Sequence, residues 1–295
     1  MPSLLDLRRR IKSVKNTRQI TKAMKMVAAA KLKRATDRVT AARPFAVKMA
    51  EVLGNLSSLI GDEFSHPLLD VRGDERYLVV FITADKGLCG AFNSNLIRVG
   101  QTFLRDNASK NLEMMPVGRR GRDFFRRREV PFANEYVGLT GAGRIEYAQA
   151  VEIAREIIRT YTEDTSIDKV FIVYSEFKTV LSQKPVVQQL LPVARNLETE
   201  ETALANTTGA TEYIYEQSPA EIFNNLLPRL VETQVYRALL ESIASEQGSR
   251  MTAMDSASKN AGELIDTLTL NMNRIRQAAI TKEIIEVVSG AAAAQ

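Results

Sequence analysis

The apolar and small positions between Ala28 and Ile60 fall at Ala28, Leu32, Ala35, Val39, Ala42, Ala46, Met49, Leu53, Leu56 and Ile60. Their steps alternate four and three, which is the heptad seam of a coiled coil. A helix is predicted from Ser3 to about Leu59, with Ser3 as N-cap and Asp6 in its first turn. Pro44 predicts a kink or break near Arg43, and Gly54 is a second weak point. At the other end Leu264, Leu268, Ile275, Ile280, Ile284 and Val287 continue a helical pattern almost to the C-terminus. Ser218, Pro219 and Glu221 form a capping-box start for that helix; Pro228 predicts local distortion and Gly290 a stop. Two helices at opposite ends of a chain pair only if the residues between them fold as a side domain. Sixty helical residues span roughly 90 Å, so part of the pair is expected to protrude. Its apolar end, from Ile280 to Ala294, is expected to be enclosed by another protein.

The middle alternates strand and helix. Arg76–Thr83 reads as a strand buried on both faces, followed by a turn over Asp85–Gly90 and a helix over Phe92–Leu104. Leu112–Val117, a segment within Val130–Leu139, Lys169–Ser175 and Val186–Leu191 supply further strands. Arg122–Arg128 and Arg144–Tyr161 read as helices. The fold class is therefore α/β: a long antiparallel coiled coil of N- and C-terminal helices, plus a Rossmann-like domain with a largely parallel five-stranded sheet. The expected boundaries are 1–60 for the first helix, 75–195 for the α/β domain, 196–217 for a polar, acidic connection and 218–290 for the second helix, which pairs with 1–60.

Charge is distributed unevenly along the chain. Residues 1–60 hold 14 Lys and Arg against 3 acids, a net of +11, whereas residues 218–295 hold 7 bases against 9 acids, a net of −2. The first helix thus carries a field that attracts acidic partners and weakens with salt. A nucleic-acid helix would share that field, but no aromatic residue precedes Phe45 to stack on bases. A solvated helix face is the plainer alternative.

Little in the sequence supports catalysis. The single cysteine, Cys89, excludes an internal disulfide, and with the single histidine, His66, it gives no metal cluster or cofactor site. GxxxxGK[ST] does not occur. Gly138–Gly143 is glycine-rich, but counted from Gly141 the third GxGxxG position falls on Glu146, whose charge would repel a pyrophosphate. Asp85 and Lys86, at the carboxyl end of a strand, occupy a position where catalytic residues occur. The structural alternative makes Gly87 and Gly90 the residues of a tight turn and Cys89 a small buried hydrophobe. Two functions compete with a mechanical one: a nucleotide-dependent enzyme on the α/β domain, and a basic coiled-coil adaptor for nucleic acid.

Four blocks decide among these. The first lies within Ile11–Lys31 and includes Asn16, Thr17, Gln19, Ile20, Thr21, Lys22, Ala23, Met24, Lys25 and Met26. The second is Thr83–Asn93, with Asp85, Lys86, Gly87, Cys89 and Gly90. The third is Glu246–Met254, with Arg250, and the fourth is Ile280–Ala291, with Thr281, Glu283, Glu286 and Gly290. In this order and spacing, over nearly the whole chain, the sequence resembles the gamma subunits of F-type ATP synthases of the bacterial type.

The resemblance implies a non-catalytic central-stalk rotor. It would sit inside the ring of alpha and beta subunits, with epsilon and the c ring below, and would meet delta only through the assembled complex. It would couple c-ring rotation to sequential change at catalytic sites on beta, and would regulate ATPase activity and proton flow. No nucleic acid, membrane span or bound cofactor is implied. Met24 and Lys25 match positions meeting an acidic beta loop, and Arg250, Gln277, Thr281 and Glu283 match positions catching a beta-subunit loop. Tyr213, Tyr215 and Glu216 match the foot facing the c ring and epsilon. Lys25 stands where related chains often carry glutamate, which suits a salt bridge to an acidic loop. With Cys89 alone, thiol switching is not expected. The start Met1-Pro2-Ser3-Leu4 lacks a signal or transit pattern, so a peripheral protein at the cytoplasmic face of a bacterial plasma membrane is expected, a processed mitochondrial form being the alternative.

Overall fold

The computed structural model describes residues 3–60, 64–141, 143–194 and 217–293. The elements are α1 (Leu4–Ile60), β1 (Arg76–Ile82), α2 (Phe92–Asp106), β2 (Asn111–Val117), α3 (Arg119–Arg126), α4 (Tyr147–Glu163), β3 (Lys169–Phe177), β4 (Gln183–Leu191) and α5 (Pro219–Ala293). Two compact units emerge, Met1–Ala28 with Arg250–Gln295, and Ala29–Ser249, so both long helices contribute to each.

In the first unit α1 starts at a reciprocal cap. Ser3 Oγ accepts from the Asp6 amide, and Asp6 Oδ2 accepts from the Ser3 amide and hydroxyl. Leu7, Ile11, Ile265 and Leu268 form a buried cluster, with Val14, Met272 and Ile275 packed against it. The buried face of α5 here runs Met254, Ala261, Ile265 and Leu268, at heptad spacing. Leu264, which the sequence pattern placed on that face, is 40% exposed while its neighbour Ile265 is 7% exposed. Two adjacent apolar residues fit either register; pairing with α1 selects the second.

The second unit is built on a four-stranded sheet in the order β2-β1-β3-β4. β1 pairs parallel with β2 and β3, while β4 runs antiparallel to β3. Central β1 is buried on both faces, as its unbroken apolar run requires. On one face Val79, Phe81, Leu96, Met114 and Phe125 share a core. A Cβ at Gly100 of α2 would lie 2.7 Å from the Phe81 ring, and one at Gly121 of α3 would lie 2.8 Å from it. Both glycines are thus set by the ring that the two helices cover. At the far end of the sheet the Ser245 hydroxyl of α5 donates to the Ser175 carbonyl of β3.

The expected fifth strand does not form among the described residues. Phe132 and Tyr136 make only isolated parallel bridges, to Met114 and Val117. The Met114 amide donates to the Pro131 carbonyl, and the Ala133 amide donates to the Met114 carbonyl. The next outward donor on β2 would be residue 116, which is proline and has no N–H. The ladder breaks there and resumes with Tyr136 N donating to Pro116 O.

Neither internal proline breaks its helix. α1 continues through Pro44 and α5 through Pro228. Each proline costs a helix interior about 3 kcal/mol. Burial on both sides offsets this: Val39, Met49 and Leu53 around Pro44, and Leu227, Leu230 and Val231 around Pro228. Nor does Gly290 end α5, which runs to Ala293 on helix-favouring alanines.

Candidate functional site

In the first unit, the matched residues of α1 lie beside α5. Lys25 falls on the heptad row that continues upstream from Ala28, where an apolar residue is the usual occupant. Its ammonium is 2.6 Å from Asp255 Oδ1, with side chains 42% and 33% exposed. Lys259 approaches the other carboxylate oxygen at 3.2 Å. Hydrogen bonds from Lys25 first, then Lys259, hold the Asp255 carboxyl below the usual range. Lys25 is therefore engaged within its own chain, and the sequence alone did not reveal its partner. The i,i+4 spacing of Asp255 and Lys259 was the one available signal.

Met24 is half-buried beside this pair, and Arg250 is half-buried at the start of the same stretch of α5. Gln277, Thr281 and Glu283 are exposed. Twenty-seven residues separate Arg250 from Gln277, roughly 40 Å of helix. The four residues grouped by the sequence resemblance thus split into two zones, too far apart for one short loop to touch both. Twenty-one residues separate Lys25 from Leu4, and the same step forward from Asp255 reaches Arg276. From Gln277 onward α5 has no α1 residue opposite it. There Ile280, Ile284, Ile285, Val287 and Val288 are between 49% and 72% exposed.

In the second unit, the turn after β1 closes on Asp85. Its Oδ1 accepts from the Arg119 and Gly138 amides, at 3.0 and 2.9 Å. Its Oδ2 accepts from the Thr140 hydroxyl and the Gly141 amide, at 2.9 and 2.8 Å. Burial raises the carboxyl pKa, and these four donors outweigh it and lower the pKa. All four acceptor positions are occupied, which leaves none for a substrate proton. The glycine-rich stretch therefore directs amides at Asp85 rather than at a phosphate. Cys89 is buried and accepts from the Asn93 side chain, whose oxygen takes the Ala84 amide. Left-handed conformations occur at Gly90 and at Leu88, not at Gly87; a Cβ on Gly87 would meet Arg120 at 2.8 Å. Leu88 and Lys86 are exposed. Tyr213, Tyr215 and Glu216 lie outside the described residues. No described helix is long and apolar enough to cross a membrane.

A family model described as ATP synthase matches residues 3–294. An ATP synthase gamma chain of Solibacter usitatus is 51% identical over 298 residues, covering 100% of both chains. One from Desulforamulus reducens is 52% identical over 294 residues, covering 99% of each. Among solved structures, a chain in the central stalk/c-ring of Tetrahymena thermophila mitochondrial ATP synthase is 31% identical with a TM-score of 0.60, covering 81% of this chain and 99% of that one. A chain in the OSCP/F1/c-ring structure of Euglena gracilis mitochondrial ATP synthase shares the fold at 18% identity, with a TM-score of 0.68 and coverage of 98% and 94%.

Proposed function

The chain belongs to the family of ATP synthase gamma chains, and we propose that it acts as a non-catalytic axle that converts c-ring rotation into sequential change at catalytic sites on beta. As a gamma chain it is the central-stalk, rotor component of a rotary synthase. The finer reading gives it alpha and beta as surrounding partners, epsilon and the c ring at its foot, delta through the assembled complex, and a peripheral place on the cytoplasmic face of the membrane. Through these contacts it would also regulate ATPase activity and proton flow.

The observation that carries this reading is the end of α5. Burying five aliphatic side chains is worth about 1.5–3 kcal/mol each, and α1 ends before it can cover them. An apolar sleeve supplied by partners would cover them without directional bonds, so the helix could turn inside it. Met24, Lys25 and Arg250 then form one contact zone, and Gln277, Thr281 and Glu283 form a second, nearer the tip. A ring that binds an off-centre, one-sidedly charged helix pair is held in a different state at each angle, which is differential binding acting on a bistable partner. Torque passes through the first unit only if its helices stay in register, and the Lys25–Asp255 pair between apolar layers supports that register.

Truncation after Ile280 tests the tip. Assembly with alpha and beta should be partly retained, while ATP-driven proton pumping falls relative to hydrolysis. Unchanged coupling would remove the bearing from the mechanism. Purification from native membranes should give one copy of this chain per three alpha and three beta.

A further inference from the structure

Lys31, Arg34 and Arg38 recur at steps of three and four on one face of α1, and with Arg144 they line a cavity of about 150 Å³. Arg144 is paired with Glu146, and Arg38 donates to the Ile145 carbonyl at 3.4 Å. Lys31 and Arg34 have no hydrogen-bond or ion-pair partner among the described residues. We infer that this cavity is a binding site for a compact tetrahedral oxyanion of the size of inorganic phosphate.

Gly143 has a φ of 68°, in the left-handed region that favours glycine. A Cβ on it would lie 3.4 Å from both Lys31 Nζ and Gln247 Nε2. The Lys31 stem, whose Cδ lies 3.0 Å from that position, takes the room a side chain would need, so only glycine lets this loop close on Lys31. Gln247 is buried and is not among the residues that line the cavity, so the donors facing a ligand are the cations of α1 and Arg144. Ala35, Ile145, Leu240 and Ile243 complete the lining and are buried. Apolar walls lower the local dielectric and strengthen each charge interaction in the cavity.

Size and shape narrow the ligand. The cavity is about ten times the ~10–15 Å³ that one water needs. It is smaller than the roughly 300 Å³ of the smallest ordinary cofactor sites, too small to enclose a nucleotide. A monatomic anion would leave most of these donors unmet. A tetrahedral oxyanion offers a two-oxygen edge to a guanidinium and a further oxygen to Lys31. Bound phosphate, at about −1.5 to −2 charges, would cancel a measurable part of the +11 on residues 1–60.

The test is titration of the full-length chain with sodium phosphate at constant ionic strength, followed by calorimetry and phosphorus NMR. Saturable one-to-one binding is expected, weakened at least tenfold by Lys31→Gln with Arg34→Gln. It should weaken less than twofold in Lys22→Gln with Lys33→Gln, which removes equal charge from the same helix away from the cavity. Both pairs lie on the exposed or half-buried face of α1, and their helix content and melting temperature show whether each still folds. Absence of saturable binding, or equal weakening in both pairs, overturns the site. Succinate binding as tightly as phosphate overturns the ligand assignment in favour of an acidic side chain from a partner protein.

Discussion

Asp85 shows how one side chain joins separate loops. It accepts from residues 119, 138, 140 and 141, and so ties the end of β1 to the start of α3 and to the loop before α4. Replacing it by alanine leaves partly buried amide donors unmet and should cost about 2–3 kcal/mol, measurable by urea denaturation. Its folded pKa lies below its unfolded value of about 3.9. The stabilisation is therefore complete above about pH 4 and is lost as pH falls through the folded value. An Asp85→Asn chain should show a flatter stability profile below about pH 4 than the parent. At Lys25 the expectation is smaller, because the pair with Asp255 is a third or more exposed. A double-mutant cycle with Lys25→Ala and Asp255→Ala should return only a small coupling that shrinks as salt is added.

Among the elements, α1 and α5 depend on each other. Leu268 is 7% exposed and packs with Leu7, Ile11 and Ile265. Leu268→Ala should cost about 2–4 kcal/mol and should speed amide exchange in the first turns of α1 before it does so in β1. Beyond Arg276, α5 should exchange quickly in the free chain and slowly in the assembled complex, a contrast that peptide-level exchange mass spectrometry resolves. The sheet carries a lesson about proline. Residues 130–139 have strand-like composition, and their failure to make a full strand traces to Pro116 on the neighbouring chain segment. A pattern read along one segment cannot register a missing donor on its partner. At Pro44 and Pro228 the packing on either side keeps each helix continuous through a residue that disfavours it.

For the whole molecule, the imbalance of charge sets a salt dependence. If the +11 of residues 1–60 steers the chain into an acidic ring, its rate of association with the alpha–beta head should fall about tenfold from low to high salt, as read by stopped-flow fluorescence. A slow, salt-insensitive association would place the cations outside the interface. Stopped-flow traces with Leu268→Ala should retain the salt slope, since that change touches packing and not the field.

Periodicity and motif spacing by themselves determined the two terminal helices, the apolar row from Ala28 to Ile60, the buried central strand and the family. These depend on local repetition, which survives in a linear string. The tertiary structure decided which of Leu264 and Ile265 faces α1, that Lys25 is held by Asp255, that Asp85 is saturated by four donors, and that α1 and the loop before α4 bring cations around Gly143. Each of these depends on which distant backbone groups end up within about 3 Å, a spacing set by packing and carried by no single stretch of residues.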